Sequence, residues 1–117
     1  MSRSPQDIFA SHLHLRAEGK LEEDIRTNYA EDIVIVSSIN RFVGHDGVRQ
    51  SAHNLHRYFG PSHSYEYSKK TVEDNFAFLI WKAFAEDKRI QHGVDSFLIT
   101  DGKIQIQSIY YHVDNEI

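Results

Sequence analysis

A single aspartate lies inside an otherwise apolar, strand-like segment near the end of the chain. Asp95 precedes the apolar residues 97–99, and an Asp-Gly turn then leads to a second such segment, residues 103–113. Strands rarely carry an aspartate, because burying an unpaired charge costs free energy. A cavity that uses the carboxyl group is a leading explanation, and a salt bridge at a sheet edge is the alternative. In a cavity, an apolar wall would raise the pKa of Asp95, which could then give or take a proton near neutral pH.

A histidine in the first predicted helix is the second candidate for proton chemistry. Ser4-Pro5-Gln6-Asp7 is typical of a helix start, and Gly19 is a typical stop. One arc of this helix carries the apolar residues and His12: Ile8, Phe9, His12, Leu13, Leu15 and Arg16. Such a histidine can be a hydrogen-bonded core residue. Opposite Asp95, it would instead line the cavity and serve as a proton relay.

The composition is that of an ordinary globular domain and excludes several functions. We expect the 117 residues to form one domain, 1–117. The net charge of −4, without a basic stripe, argues against partners such as nucleic acid or an anionic membrane. The absence of cysteine excludes disulfides, thiol catalysis and Cys-based zinc sites. Residues 1–5 lack the apolar core of a signal peptide, so we expect a cytoplasmic protein.

The remaining patterns predict helices first and strands last. A second helix carries Leu21, Ile25 and Tyr29, and residues 33–36 form a β-branched strand. Asp46 would cap a third helix that ends at Gly60-Pro61. Its apolar stripe is Val48, Ala52, Leu55 and Phe59. Residues 64–73, 76–86, 90–100 and 103–113 predict an antiparallel meander, in which Tyr65 and Tyr67 lie on an exposed edge. The expected class is α+β, with helices packed on one face of a curved antiparallel sheet.

The strand after Asn75 is apolar on both faces. Phe76, Phe78, Ile80 and Phe84 point one way, whereas Ala77, Leu79, Trp81, Ala83 and Ala85 point the other. A monomer with helices on one side should have a polar outer face. A second copy of the chain is the simplest cover, so a homodimer through the outer sheet face is expected. The Trp81 face, with its small residues, has room for a cavity.

The order of these motifs resembles the nuclear transport factor 2-like superfamily. The motifs on which this resemblance rests are Tyr29-Ala30-Glu31-Asp32, Gly44-x-x-Gly-Val, Gly93-x-Asp95 and Asp101-Gly102-Lys103-Ile104. The closest similarity is to SnoaL-like polyketide cyclases and ketosteroid isomerases, over roughly residues 5 to 113. The resemblance implies a cone-shaped α+β barrel with a deep apolar pocket between sheet and helices. It also implies a homodimer formed through the outer face of the sheet.

The resemblance assigns roles to four positions. Asp95 falls where the isomerases keep a pocket carboxylic acid, and cyclases use an Asp from this part of the sheet as acid or base. His12 falls at the oxyanion-hole Tyr, and Tyr29 falls at a Tyr that supports it. Ser37 occupies the position of the isomerase base. Serine cannot take a proton from carbon near neutral pH, so the resemblance does not extend to steroid isomerisation.

The register of the last hairpin decides which residues share a face with Asp95. A two-residue Asp101-Gly102 turn would place Ile106, Ser108 and Tyr110 beside it. A three-residue loop, with Gly102 in the left-handed conformation, would place Gln107, Ile109 and Tyr111 there. The family pattern favours the second register. The predicted ligand-binding residues are therefore Tyr29, Ser37, Leu55, Phe59, Trp81, Gln107 and Tyr111.

Three functions follow from this set of residues. The first is a small enzyme that transfers protons on a hydrophobic carbonyl or cyclic substrate, with Asp95 and His12 as catalytic residues. Isomerisation, cyclisation, dehydration and hydrolysis all stay open. The second is a protein that binds a hydrophobic small molecule without converting it, and the third is a dimerisation or scaffold module. We expect no cofactor. A metal site would need three converging ligands such as His12, His56 and Asp95, and no close spacing predicts one.

Overall fold

The computed structural model describes residues 3–38, 40–59 and 64–115. These residues form helices α1 (Pro5–Ala17), α2 (Leu21–Asn28) and α3 (Gly44–Phe59), and strands β1 (Tyr29–Ser37), β2 (Arg41–Val43), β3 (Ser64–Glu73), β4 (Phe76–Phe84), β5 (Lys88–Thr100), β6 (Lys103–Tyr111) and β7 (Asp114–Asn115). The predicted helix end at Gly60-Pro61 lies outside the described residues. Among the described helices, none has the length and apolar character needed to span a membrane.

The strands form one curved, mixed sheet in the order β2-β1-β6-β5-β4-β3, with β7 paired to β5. Strands β3 to β6 form the predicted antiparallel meander. Strand β1 runs parallel to β6, which makes the sheet mixed rather than wholly antiparallel. The three helices cover one face, and the buried core lies between them and the sheet. The predicted α+β class is confirmed.

Local signals placed most element boundaries correctly. Ser4 and Asp7 form a reciprocal capping box at the start of α1, and the predicted arc of that helix is buried except for Arg16, which is half-buried. Tyr29 is the first residue of β1 rather than the last of α2. Helix α3 begins at Gly44, so Asp46 lies in its first turn and is not its cap.

The tyrosines of β3 differ from the prediction. Tyr65 and Tyr67 are half-buried rather than exposed, and they pair with Ala83 and Trp81 of β4. They therefore share the inner face of the sheet with Trp81. Every second side chain of a strand points to the same face, so Tyr65 and Tyr67 both point inward. The sequence prediction treated them as exposed because Lys69 and Lys70 follow them.

The last hairpin has the predicted register for a different reason. Asp101 and Gly102 form a two-residue turn with φ of 53° and 72°, and Thr100 pairs with Lys103. Both positive φ angles are those of the tight hairpin turn that Asp-Gly favours. The register then shifts by one residue opposite Leu98–Ile99. This bulge brings Ile109 opposite Asp95, so the face predicted for the three-residue loop is the one observed.

Gly93 allows Trp81 to lie flat against the neighbouring strand. The two residues are paired across β4 and β5. A Cβ atom at position 93 would lie 2.1 Å from Trp81 Cε2, far inside van der Waals contact. Because the indole packs over Gly93, its N–H reaches Asp95 two residues along the same strand. The Gly93-x-Asp95 spacing is thus a packing requirement.

Replacing Gly93 with alanine should displace the Trp81 ring and weaken the fold. We expect Gly93→Ala to lower the free energy of unfolding by about 1–3 kcal/mol, the usual cost of overpacking. Urea unfolding followed by circular dichroism measures this loss. Gln91→Ala, at an exposed position of β5, is the matched control and should stay within about 0.5 kcal/mol of the wild type. Equal stability of Gly93→Ala and the control would contradict this account.

Candidate active site

A small cavity lies between α1, α3 and the inner face of the sheet. Its volume is about 70 Å³. A water molecule needs roughly 10–15 Å³ by this measure, so the space is on the order of five waters or one small organic molecule. The cavity is lined by His12, Leu13, Arg16, Ser51, Ala52, Leu55, Tyr65, Tyr67, Leu79, Trp81, Asp95, Gln107, Ile109 and Tyr111. An apolar wall thus surrounds a few polar groups, as in most small-molecule sites.

Asp95 is the buried acid of this cavity. Its side chain accepts two hydrogen bonds: Trp81 Nε1 donates to Oδ1 at 3.0 Å, and Gln107 Nε2 donates to Oδ2 at 3.1 Å. Burial raises the pKa of Asp95 to about 6. The Trp81 and Gln107 hydrogen bonds and the nearby charges of His12 and Arg16 act in the opposite direction, because they favour the carboxylate. The result is an acid that can change its protonation state close to neutral pH.

Gln107 is held in one orientation by Tyr29. The Tyr29 hydroxyl donates to Gln107 Oε1 at 2.5 Å, so the amide presents its Nε2 to Asp95. Both residues are about 1% exposed. Burial raises the pKa of the Tyr29 phenol well above its usual value, which keeps it a donor. Tyr29 therefore orients the amide that binds Asp95.

His12 is paired with Asp24 and not with Asp95. His12 Nδ1 lies 2.8 Å from Asp24 Oδ2, and the ring packs at an angle against Phe97 and Tyr29. The predicted His12–Asp95 relay therefore has a different partner in the structure. Since Nδ1 is engaged by Asp24 and His12 lines the cavity, Nε2 is the nitrogen left for a ligand.

Asp24 is the centre of a buried network that sequence reasoning missed. Its carboxylate is fully buried and is bound by His12, by Arg16 Nε at 3.0 Å and by Asn28 Nδ2 at 2.8 Å. Burial acts to raise the pKa of Asp24, but the charge and hydrogen bond of His12, with Arg16 and Asn28, outweigh it and lower the pKa. In the sequence, Asp24 follows Glu22 and Glu23 in the first turn of α2, where acidic residues are usually explained by the helix dipole. The available signal was its position beside the buried Ile25, four residues before Asn28.

The structure brings six of the predicted site residues together around the cavity. They are His12, Leu55, Trp81, Asp95, Gln107 and Tyr111. The other three lie elsewhere. Tyr29 acts through Gln107, Phe59 is buried in the core, and Ser37 lines a separate surface groove that borders the cavity at Tyr111. Arg16, Tyr65 and Tyr67 line the cavity without having been predicted.

The described residues contain no cluster of side chains suited to bind a metal ion. Within residues 3–38, 40–59 and 64–115, no group of three His, Asp or Glu side chains is placed to hold an ion. His56 is exposed on α3 and is absent from the cavity lining. The trio of His12, His56 and Asp95 is therefore not assembled.

The arrangement is suited to moving a proton at a bound molecule. Asp95 is held by one donor on each oxygen, and its other lone pairs can face the cavity. Arg16, which also lines the cavity, supplies a positive charge that could stabilise a developing negative charge. The site thus combines a proton carrier and a cation within an apolar enclosure.

The raised pKa of Asp95 should make the fold less stable as the pH rises. Its pKa is 3.8 in ordinary surroundings and about 6 in the fold, so the folded state binds the proton more tightly. The free energy of unfolding then falls between pH 4 and 6, by up to about 3 kcal/mol in total. Asp24, whose pKa is lowered, acts with opposite sign and below about pH 4. Urea unfolding at several pH values measures the change.

Substituted proteins isolate the contribution of Asp95. We expect Asp95→Asn to lose most of the decline between pH 4 and 7, with Gln107 reversing its amide to suit the new side chain. Asp101→Asn removes an exposed carboxylate at a turn and should follow the wild-type curve. A wild-type decline that survives intact in Asp95→Asn would show that other groups cause it.

Comparisons with known proteins identify the fold. No protein-family model matches the sequence, and no curated protein matches it. A protein of unknown function from Cytophaga hutchinsonii, described as nuclear transport factor 2-like, is similar in structure, with TM-score 0.73 and 13% identity over 96% of this chain and 93% of that chain. A protein from Kribbella flavida, provisionally named a ketosteroid isomerase, has TM-score 0.76 and 14% identity over 97% and 81% of the two chains. A protein from Sinorhizobium meliloti, provisionally named a polyketide cyclase, has TM-score 0.71 and 20% identity over 88% and 93%.

These likenesses agree with the architecture described above. At such low identities, they establish the fold and do not transfer an activity. The chain has the nuclear transport factor 2-like fold, as its motifs predicted.

Proposed function

We propose that this chain is an enzyme that transfers protons on a small substrate, with Asp95 as the acid and base. The observation that carries the proposal is the carboxyl group of Asp95, which is buried, lines the cavity and has a pKa of about 6. A catalytic base works best when its pKa lies near the working pH. Strongly shifted acids in cavities are often functional for this reason.

The proposed step is removal of a proton from the carbon next to a carbonyl group. The Asp95 carboxylate takes the proton, the electrons of the C–H bond move to the carbonyl oxygen, and an enolate forms. Asp95 then returns the proton to the same carbon or to another atom. Arg16 supplies the positive charge that the enolate oxygen needs.

The size of the cavity restricts the substrate. Sites for drug-sized ligands have volumes of about 300–1,000 Å³, whereas this cavity has about 70 Å³. We therefore propose a substrate of a few carbon atoms rather than a ring system of steroid or polyketide size. The provisional names of two structural neighbours support carbonyl chemistry on this fold, although they belong to those proteins.

Hydrogen–deuterium exchange at carbon tests the proposal without knowledge of the product. Small enolisable ketones such as butanone are incubated with the protein in D₂O, and the loss of the proton signal is followed by NMR. We expect exchange to rise with pH through about 6, because the ionised form of Asp95 is the base. Asp95→Asn should lower the rate by about 10²–10⁴.

A second substitution serves as the control for this exchange measurement. Asp101→Asn, which removes an exposed carboxylate, should exchange as the wild type does. Exchange no faster than in buffer, together with saturable ligand binding, would support the alternative of a binding protein. That alternative is favoured by one observation: both oxygens of Asp95 already accept hydrogen bonds, as in a group that only orients a ligand.

We further propose that the chain forms a homodimer through the outer face of the sheet. Large apolar side chains there are exposed, including Val36, Phe76, Leu98, Ile106 and Tyr110. The hydroxyls of Ser96 and Ser108 bind each other within this face, which leaves its centre uncharged. Charged residues of the edge strand β3, among them Glu66 and Lys69, lie at its border. An apolar centre with a polar border suits a self-complementary interface.

A charge placed at the centre of this face should separate the subunits. We expect sedimentation to show a dimer for the wild type and a monomer for Ile106→Glu, because the new carboxylate would be buried unpaired. Gln50→Glu, an exposed position on α3, adds the same charge elsewhere and should stay dimeric. A monomeric wild type, or a dimeric Ile106→Glu, would refute the proposed interface.

A further inference from the structure

Arg16 reaches both the cavity and the surface. It lines the cavity with Asp95, and it also lines an open groove between α1, α3 and β3. Its side chain is 24% exposed. The hydrogen bond to Asp24 uses Nε, and a second side-chain hydrogen bond joins Arg16 to the Tyr29 phenol. A guanidinium has five N–H groups, so Arg16 can keep both contacts while another terminal N–H meets a ligand.

A groove that adjoins the cavity is lined by Arg16 and two histidines. The groove shares Arg16, Ala52 and Tyr65 with the cavity, and its other ionisable residues are His53 and His56. Among the described residues, no carboxylate lines it. This lining contrasts with the net charge of −4 for the whole chain. A groove that holds the Arg16 cation and no described carboxylate attracts anions.

A second groove that adjoins the cavity also has a cation and no carboxylate among its described lining residues. It shares Ser51, Ile109 and Tyr111 with the cavity, and Arg57 is the charged residue among its described lining. Both grooves that adjoin the cavity are thus free of carboxylates in the part of the chain that the structure describes. A neutral or cationic substrate would give no reason for this bias.

We propose that the cavity takes a short-chain organic anion, whose carboxylate pairs with Arg16 while its carbon chain lies against Leu13, Leu55 and Leu79. The Arg16 fork is suited to a planar carboxylate. The apolar wall and the small volume suit a chain of a few carbons. This inference names the substrate class of the site proposed above and rests on that function for the chemical step.

Asp95 makes the binding of an anion depend on pH. A carboxylate beside an ionised Asp95 is repelled, and protonation of Asp95 removes the repulsion. Since the pKa of Asp95 is about 6, affinity falls as the pH rises, and only the complexes in which Asp95 stays ionised can remove a proton from carbon. Besides Asp95, the polar and charged groups that line the cavity are His12 and Arg16 from α1, Ser51 from α3, Tyr65 and Tyr67 from β3, Trp81 from β4, and Gln107 and Tyr111 from β6. Asp24 from α2 and Tyr29 from β1 lie behind this lining and act through His12, Arg16 and Gln107.

Trp81 fluorescence provides the test, because Trp81 is the single tryptophan and touches Asp95. The protein is titrated with butanoate and with its neutral amide, butanamide, at constant ionic strength and at pH 6 and 8. We expect butanoate to bind about tenfold more tightly than butanamide at pH 6, as a charge-assisted hydrogen bond would give. Its affinity should weaken at pH 8, whereas that of butanamide should not.

Substitutions assign the effect to Arg16. Arg16→Gln should reduce butanoate binding to the level of butanamide. Arg41→Gln, which removes the same charge at an exposed position of β2, should leave it unchanged. If Arg16→Gln does not fold, the comparison of the two probes on the wild type decides. Equal affinities, no saturable binding of butanoate, or full binding by folded Arg16→Gln would each overturn the inference.

The two proposals fail separately. Exchange of butanone through Asp95 without butanoate binding would refute the anionic substrate and leave the proton-transfer function intact. Butanoate binding without exchange of butanone or 2-oxobutanoate would support the anion site and refute the enzyme.

Discussion

The burial of one carboxyl group is the constraint on which the candidate site depends. Asp95 is 8% exposed, and an isolated charge there would be costly. Two donors make it tolerable. Trp81 reaches one oxygen because Gly93 lets the indole lie on the strand, and Gln107 reaches the other because Tyr29 fixes its amide. Packing and polarity are thus set together by neighbouring strands, which leaves an acid poised between its two protonation states.

A second buried carboxylate, that of Asp24, fixes the position of α1 relative to α2 and so places two residues of the cavity lining. Asp24 joins α1 to α2 through His12 and Arg16, and it remains charged because its donors outweigh the cost of burial. The two acids therefore have opposite roles. Asp24 is a permanent anion that positions two cavity residues, whereas Asp95 can change its charge. Environments that shift two acids in opposite directions are the usual way in which one fold supports proton transfer.

The sequence predicted the fold well because its signals were local. The Ser4 capping box, the Asp101-Gly102 turn and the alternation in β4 each acted within a few residues. The site was predictable only in part, because side-chain partners depend on contacts between distant elements. The imidazole of His12 could be placed on an apolar arc, but its choice of Asp24 over Asp95 required the angle between α1 and α2. The bulge in β6 was equally hidden, so the correct face followed from an incorrect loop.

The protonation of Asp95 is the property on which the proposed chemistry depends, and it can be measured directly. The carboxyl carbons of aspartate are labelled with ¹³C, and the Asp95 signal is assigned by its absence from Asp95→Asn. Its chemical shift is then followed against pH in the intact protein. We expect the chemical shift of the Asp95 carboxyl carbon to change with a midpoint near pH 6. A midpoint at the ordinary value of 3.8 would contradict it, because Asp95 would then be a fixed carboxylate.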